Sequence, residues 1–215
     1  MCPLYPGALR YSMIVQGSLH RTGRPPAPLP PPAKRYTLTA QALHWLTVLL
    51  ILTTLPVAWV MMSLPTGPQQ TWKLVLHRSL GVTIFTVVIV RLAWRLTHPA
   101  PPSPSGAPRV TELISQVTHG LLYALLLLMP VTGYLQSADG RPVSYLGLFN
   151  LPQLPKDKAL GDVANVFHHL GQWGLYTLVG LHVGATVWHV AIRRDGLLSR
   201  MLPPQDQSGS FSDAN

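Results

Sequence analysis

Four apolar runs dominate this chain, at about 38–64, 72–96, 113–136 and 163–192. Each is long enough to cross a bilayer core, which takes about 20 helical residues. A chain of 215 residues cannot bury four such helices inside a soluble core of its own. Composition agrees, with 11% charged residues and 47% hydrophobic ones, where soluble domains carry about 25% charged. Backbone polar groups in lipid must be satisfied internally, so the runs predict an all-α domain, a four-helix transmembrane bundle.

The net charge of +9 does not point to nucleic acid, because the basic residues flank the apolar runs. Arg10, Arg21, Arg24, Lys34 and Arg35 precede the first run. Arg91, Arg95 and Arg109 bracket the second connection, and Arg193, Arg194 and Arg200 follow the last run. Those eleven lie on one side, against Lys73, Arg78, Arg141, Lys156 and Lys158 on the other. The positive-inside rule then puts both termini in the cytoplasm. Cys2 is the lone cysteine, which rules out an internal disulfide, a cysteine-held iron–sulfur cluster and C-x-x-C-H haem attachment. Residues 1–35 read as a disordered, basic, proline-rich cytoplasmic tail, with Met13 an alternative start. The bundle then covers 36–203, and 204–215 is a flexible C-terminal tail. Residues 97–109, dense in proline, form a linker in which His98 is solvated. Residues 137–162 form the long outer connection, within which the apolar stretch 145–152 is too short to span and reads as a flap over the outer end.

A histidine in an apolar helix needs a partner for its ring. The last run holds His168, His169, His182 and His189. His168 and His182 are fourteen residues apart. On a helix that is about 21 Å and a rotation of about −40°, so both rings share one face at two depths. His169 points nearly opposite to His182, while Gly171, Leu175, Val179 and Thr186 continue the stripe of the pair. Successive helices alternate in direction, so His44 on the first helix matches the depth of His182. His77 on the second helix matches His168. Gly81, one turn below His77, would let a flat ring approach the backbone. Arg91 repeats the fourteen-residue interval from His77 and is costly at that depth unless it finds an anion such as a propionate. His119 on the third helix reads as a hydrogen-bonding residue, and Gly120 and Gly133 as close-packing positions. Two imidazole pairs suit axial ligation of two haems, with no open coordination position, which favours electron transfer. Zinc would need three or four ligands converging on one point. Purely structural histidines, or a histidine-dependent proton or metal transporter, are the remaining readings.

The segments His44-Trp45, Leu76-His77-Arg78-Ser79-Leu80-Gly81, Arg91-Leu92-Ala93-Trp94-Arg95, and His168 through Gly180-Leu181-His182 resemble the bacterial cytochrome b561 family. The resemblance covers about 35–203 and all four helices. It implies a multi-pass protein of the bacterial inner membrane with two non-covalent haems b. It implies that His44, His77, His168 and His182 are the iron ligands. It further implies electron exchange with ubiquinone, and some members are similar to superoxide oxidases that pass an electron from outside superoxide to ubiquinone. On that view Lys73 and Arg78 are the charges that attract the anionic donor, and His119 and His189 are candidates near the quinone. A cytochrome subunit serving a hydrogenase- or reductase-type partner is the rival within the same class.

Overall fold

The structure, a computed structural model, describes residues 35–102 and 108–203. The expected tails lie outside the described residues, except for Arg35. Four helices follow in order: α1 (Leu38–Ser63), α2 (Pro68–Thr97), α3 (Arg109–Leu135) and α4 (Lys158–Trp188). All four are long and apolar enough to cross a membrane. Local chemistry sets where they begin. Thr37 Oγ1 accepts the Ala40 amide of α1 at 3.3 Å. Pro68 opens α2 where its missing N–H costs nothing, and the Asp157 carboxylate accepts the Leu160 amide of α4 at 3.0 Å. Pro56 and Pro130 sit inside α1 and α3 without ending them.

The packing is inverted relative to a soluble bundle. Large apolar side chains such as Leu49, Leu52, Leu170 and Trp173 point outward, each more than 60% exposed, as a surface covered by lipid requires. The interior holds small hydroxyls instead. Thr47, Thr54 and Ser79 are buried and each donates to the carbonyl one turn back, at 2.7 Å in every case. That satisfies the hydroxyl internally and lets helix backbones approach. An apolar cluster of Ile84, Val88, Leu126 and Leu175 joins α2, α3 and α4. Helix α1 packs on α2, α2 on α3, and α3 on α4, while α1 and α4 make at most marginal backbone contact.

Gly171 admits α3 to α4. A Cβ there would lie 2.6 Å from Met129 Sδ. Gly171→Ile is therefore expected to cost about 1–3 kcal/mol through overpacking. Thermal unfolding in detergent measures this, with Gly180→Ala as the comparison, since nothing lies within 4 Å of a Cβ there. Gly133 packs as its sequence context suggests, but against a ring: its Cβ would meet His168 Cε1 at 3.2 Å. Gly120 does not pack, with nothing within 4 Å of its Cβ position.

One end of the bundle, here the terminal end, gathers both ends of the described chain. The Tyr36 amide donates to the Arg200 carbonyl at 3.2 Å and the Trp45 indole N–H to the Met201 carbonyl at 2.9 Å. The opposite, flap end is crossed by a short antiparallel hairpin pairing Ser144–Tyr145 with Phe149–Asn150. Leu146 (φ 52) and Gly147 (φ 75) turn it, and a left-handed leucine is an unusual residue there. The hairpin is pinned to α2: Ser79 Oγ accepts the Leu146 amide at 2.8 Å, and the Tyr145 and Thr83 hydroxyls are 3.1 Å apart.

Candidate functional site

At the flap end, His77 on α2 faces His168 on α4 with ring centroids 6.2 Å apart and planes at 84°. His168 Nδ1 lies 3.0 Å from the Met129 carbonyl and 3.1 Å from Thr132 Oγ1. A carbonyl only accepts, so Nδ1 carries the proton and Nε2 keeps its lone pair for a metal. His77 Nδ1 is buried without a full hydrogen bond, with the Thr54 carbonyl facing that ring. Both rings line a cavity of about 350 Å³ among all four helices. Gly81 lines it too, and a Cβ there would meet nothing within 4 Å, so the wall is open where a flat group would slide in.

At the terminal end, His44 on α1 faces His182 on α4, with centroids 6.4 Å apart and planes at 71°. Imidazole nitrogens sit about 2.0–2.1 Å from a bound transition metal and about 1.1 Å from their ring centre. Two rings on opposite sides of one metal atom therefore stand about 6.3 Å apart. Both pairs have that separation. Among the described residues no group of three or more His, Cys, Asp or Glu converges as a zinc site would need.

The terminal end holds more than a pair. His119 on α3 lies 5.1 Å from the His182 ring, and its Nδ1–H donates to the Ser115 carbonyl at 2.6 Å. The hydrogen-bonding role expected of His119 is thus seen, but its closeness to His182 is not legible from α3 alone. Arg91 donates to His44 Nδ1 at 3.0 Å and lies 5.2 Å from the Tyr123 ring centre. A guanidinium has no lone pair to offer, so neutral His44 carries its proton on Nε2 in this arrangement. Metal binding through that nitrogen requires Arg91 to release Nδ1.

The remaining expected residues separate. Arg78 lines the flap-end cavity and donates to the Pro142 carbonyl at 3.2 Å, so it also anchors the flap. Lys73 is half-buried and does not line the cavity. His169 lines the cavity and its ring centre is 6.5 Å from that of His168. The cavity is thus wide enough to take in two neighbouring faces of α4. His98 is exposed but stacks on Trp94 at 3.9 Å rather than standing free in solvent. His189 begins a π-helical turn, His189–Arg193, and meets Asp195 at 2.6 Å. Burial raises the Asp195 carboxyl, but the His189 ring and the Leu197 amide outweigh it and hold the group below the usual carboxylate range.

Four membrane-crossing helices with histidine rings facing one another at two depths define a membrane electron-transfer protein. The chain belongs to the prokaryotic cytochrome b561 family, whose model matches residues 35–204. That makes it a multi-pass bacterial membrane protein of a haem b class. It is 32% identical over 173 residues to "Cytochrome b561 homolog 2" of Escherichia coli (strain K12), covering 79% of this chain and 92% of that one. It is 27% identical over 175 residues to "Probable superoxide oxidase CybB" of Yersinia pestis, covering 79% and 97%. "Cytochrome b561 homolog 1" of Escherichia coli (strain K12) is 28% identical over 178 residues, covering 79% and 97%.

Proposed function

We propose that His77 and His168 hold one haem b, that His44 and His182 hold a second, and that the protein carries electrons between an outer-side donor and the quinone pool. The observation that carries this is the pair of ring separations, 6.2 and 6.4 Å, at opposite ends of one bundle. Each fits a single metal atom ligated from both sides. Bound haem would supply a one-electron couple at each pair.

The protein's own residues do the rest. The Met129 carbonyl and Thr132 fix the His168 ring. Gly81 leaves the slot open. A propionate carboxylate would accept from Arg91 in place of His44, which would let Nδ1 hold the His44 proton and leave the Nε2 lone pair for a metal. The basic excess on the side of the termini supports a cytoplasmic terminal end and an outer flap end. Superoxide is the favoured donor, supported by the name of the Yersinia pestis relative and by Arg78 on the cavity wall. Ubiquinone is the acceptor.

Haem content tests the core of this. Protein purified in mild detergent should yield two haems b per chain, all removed by acidified solvent. A stoichiometry of one, or haem that stays with the polypeptide, rules the assignment out.

A further inference from the structure

The hairpin of the flap has a surface that the haem pairs leave unused. Between Arg141 and Lys156 no residue is charged. The hairpin tip presents Leu146, Leu148 and Phe149, which are 40%, 76% and 58% exposed. None of the three lines the flap-end cavity, to which the same stretch contributes Val143. The tip therefore lies outside the proposed haem site, and no described residue buries it.

The residues at the turn suit a setting poor in water. Leu146 and Gly147 both have positive φ, at 52° and 75°. Two-residue hairpin turns of this hand favour asparagine or aspartate at the first position. A leucine there strains its backbone and leaves an apolar side chain in solvent unless something apolar covers it. The hairpin also satisfies backbone donors that water would otherwise serve. The Leu148 amide donates to the Tyr145 carbonyl at 2.9 Å and the Leu151 amide to the Val143 carbonyl at 2.8 Å, while Ser79 takes the Leu146 amide.

Helix α2 sets the depth. Trp72 is exposed on the first turns of α2, as an aromatic at the headgroup level would be. A Cβ at Gly147 would lie 4.0 Å from its ring. Ser79 is seven residues further on, about 10 Å along the axis. The Tyr145 hydroxyl meets Thr83 one turn deeper still. The hairpin thus lies beside the apolar span of α2 and not above it.

We propose that the hairpin tip is seated in the bilayer leaflet at the flap end, with acyl chains covering Leu146, Leu148 and Phe149, so that lipid holds the flap across the end of the bundle. The tip is uncharged and continuous with the lipid-covered surface of α2. A stable protein interface takes about 800 Å² from each partner, more than three side chains present. Lipid needs no such area, because it already surrounds the helix to which the hairpin is pinned.

The experiment uses the full chain in nanodiscs of phosphatidylglycerol and phosphatidylcholine. Cys2→Ser removes the native thiol, and Leu148→Cys or Phe149→Cys carries a nitroxide label. Collisions with oxygen, which concentrates in lipid, and with a water-soluble nickel chelate give the label depth, calibrated by lipids labelled at known positions. Leu170→Cys is the lipid-exposed reference and Lys156→Cys the water-exposed one. Labels at both tip positions are expected about 5–10 Å below the lipid phosphates, with the oxygen-dominated signature of position 170. Nickel-dominated collisions at either tip position, as at 156, overturn the proposal, because the tip then stands in water. A tip label shielded from both reagents also overturns it, because a second copy or another protein then covers the hairpin.

Discussion

Replacing His168 with alanine is expected to remove one haem of two and leave the other in place. His77→Ala should remove the same one, and His44→Ala or His182→Ala the other. The expectation follows from the two pairs, each spanning what one metal atom needs. Removing one ring would leave a single histidine to hold the group. Haem per chain, read from the pyridine complex, should fall from about two to about one in each variant. Two further variants make the test sharp. His169→Ala keeps both haems if the ligand is its neighbour. His119→Ala keeps both if the closer ring, at 5.1 Å from His182, is a companion rather than a ligand. Loss of a haem in either would move the assignment by one residue or by one helix.

The second large effect concerns where electrons enter. Superoxide generated outside right-side-out vesicles should reduce the protein rapidly, and His168→Ala should abolish that reduction. Capture of an anion by a basic mouth weakens as salt rises, because the screening length falls from about 10 Å at 0.1 M to about 3 Å at 1 M. Arg78→Ala should slow capture about two- to fivefold, since this side chain lines the cavity. Lys73→Ala should do less, since Lys73 does not line it. Faster reduction by superoxide made inside the vesicles would invert the topology, and indifference to superoxide with rapid reduction by a quinol would replace the donor.

The parts of this molecule that were legible beforehand are those governed by helical period. The four spans follow from apolar length, and the shared face of His168 and His182 follows from a fourteen-residue interval that no neighbour can change. Helix ends were less legible. Helix α2 begins at Pro68 and α4 at Lys158, each several residues before its apolar run, because a proline and an Asp157 cap extend the helix beyond what hydropathy marks. Contacts across helices were not legible at all. The approach of His119 to His182, the hold of Arg91 on His44 and the reach of Trp59 to Tyr176 depend on which helices face each other. The flap was evident as a non-spanning segment, but its hairpin turns on a leucine in the left-handed region, which residue preference argues against.

The order of helix packing has a consequence for how such a protein is made. Helices α1 and α2 form one antiparallel pair, and α3 and α4 another. His44 and His77 both belong to the first pair, and His168 and His182 both to the second. Neither half contains both rings of a proposed pair. A nascent chain that has inserted only its first two helices would offer His44 and His77 without their proposed partners. Once the fourth helix arrives, a haem held by each pair as proposed would act as a rivet joining the two halves. Cofactor capture and completion of the bundle would then be a single event, with the cofactor fastening α4 to the α1 it otherwise barely touches.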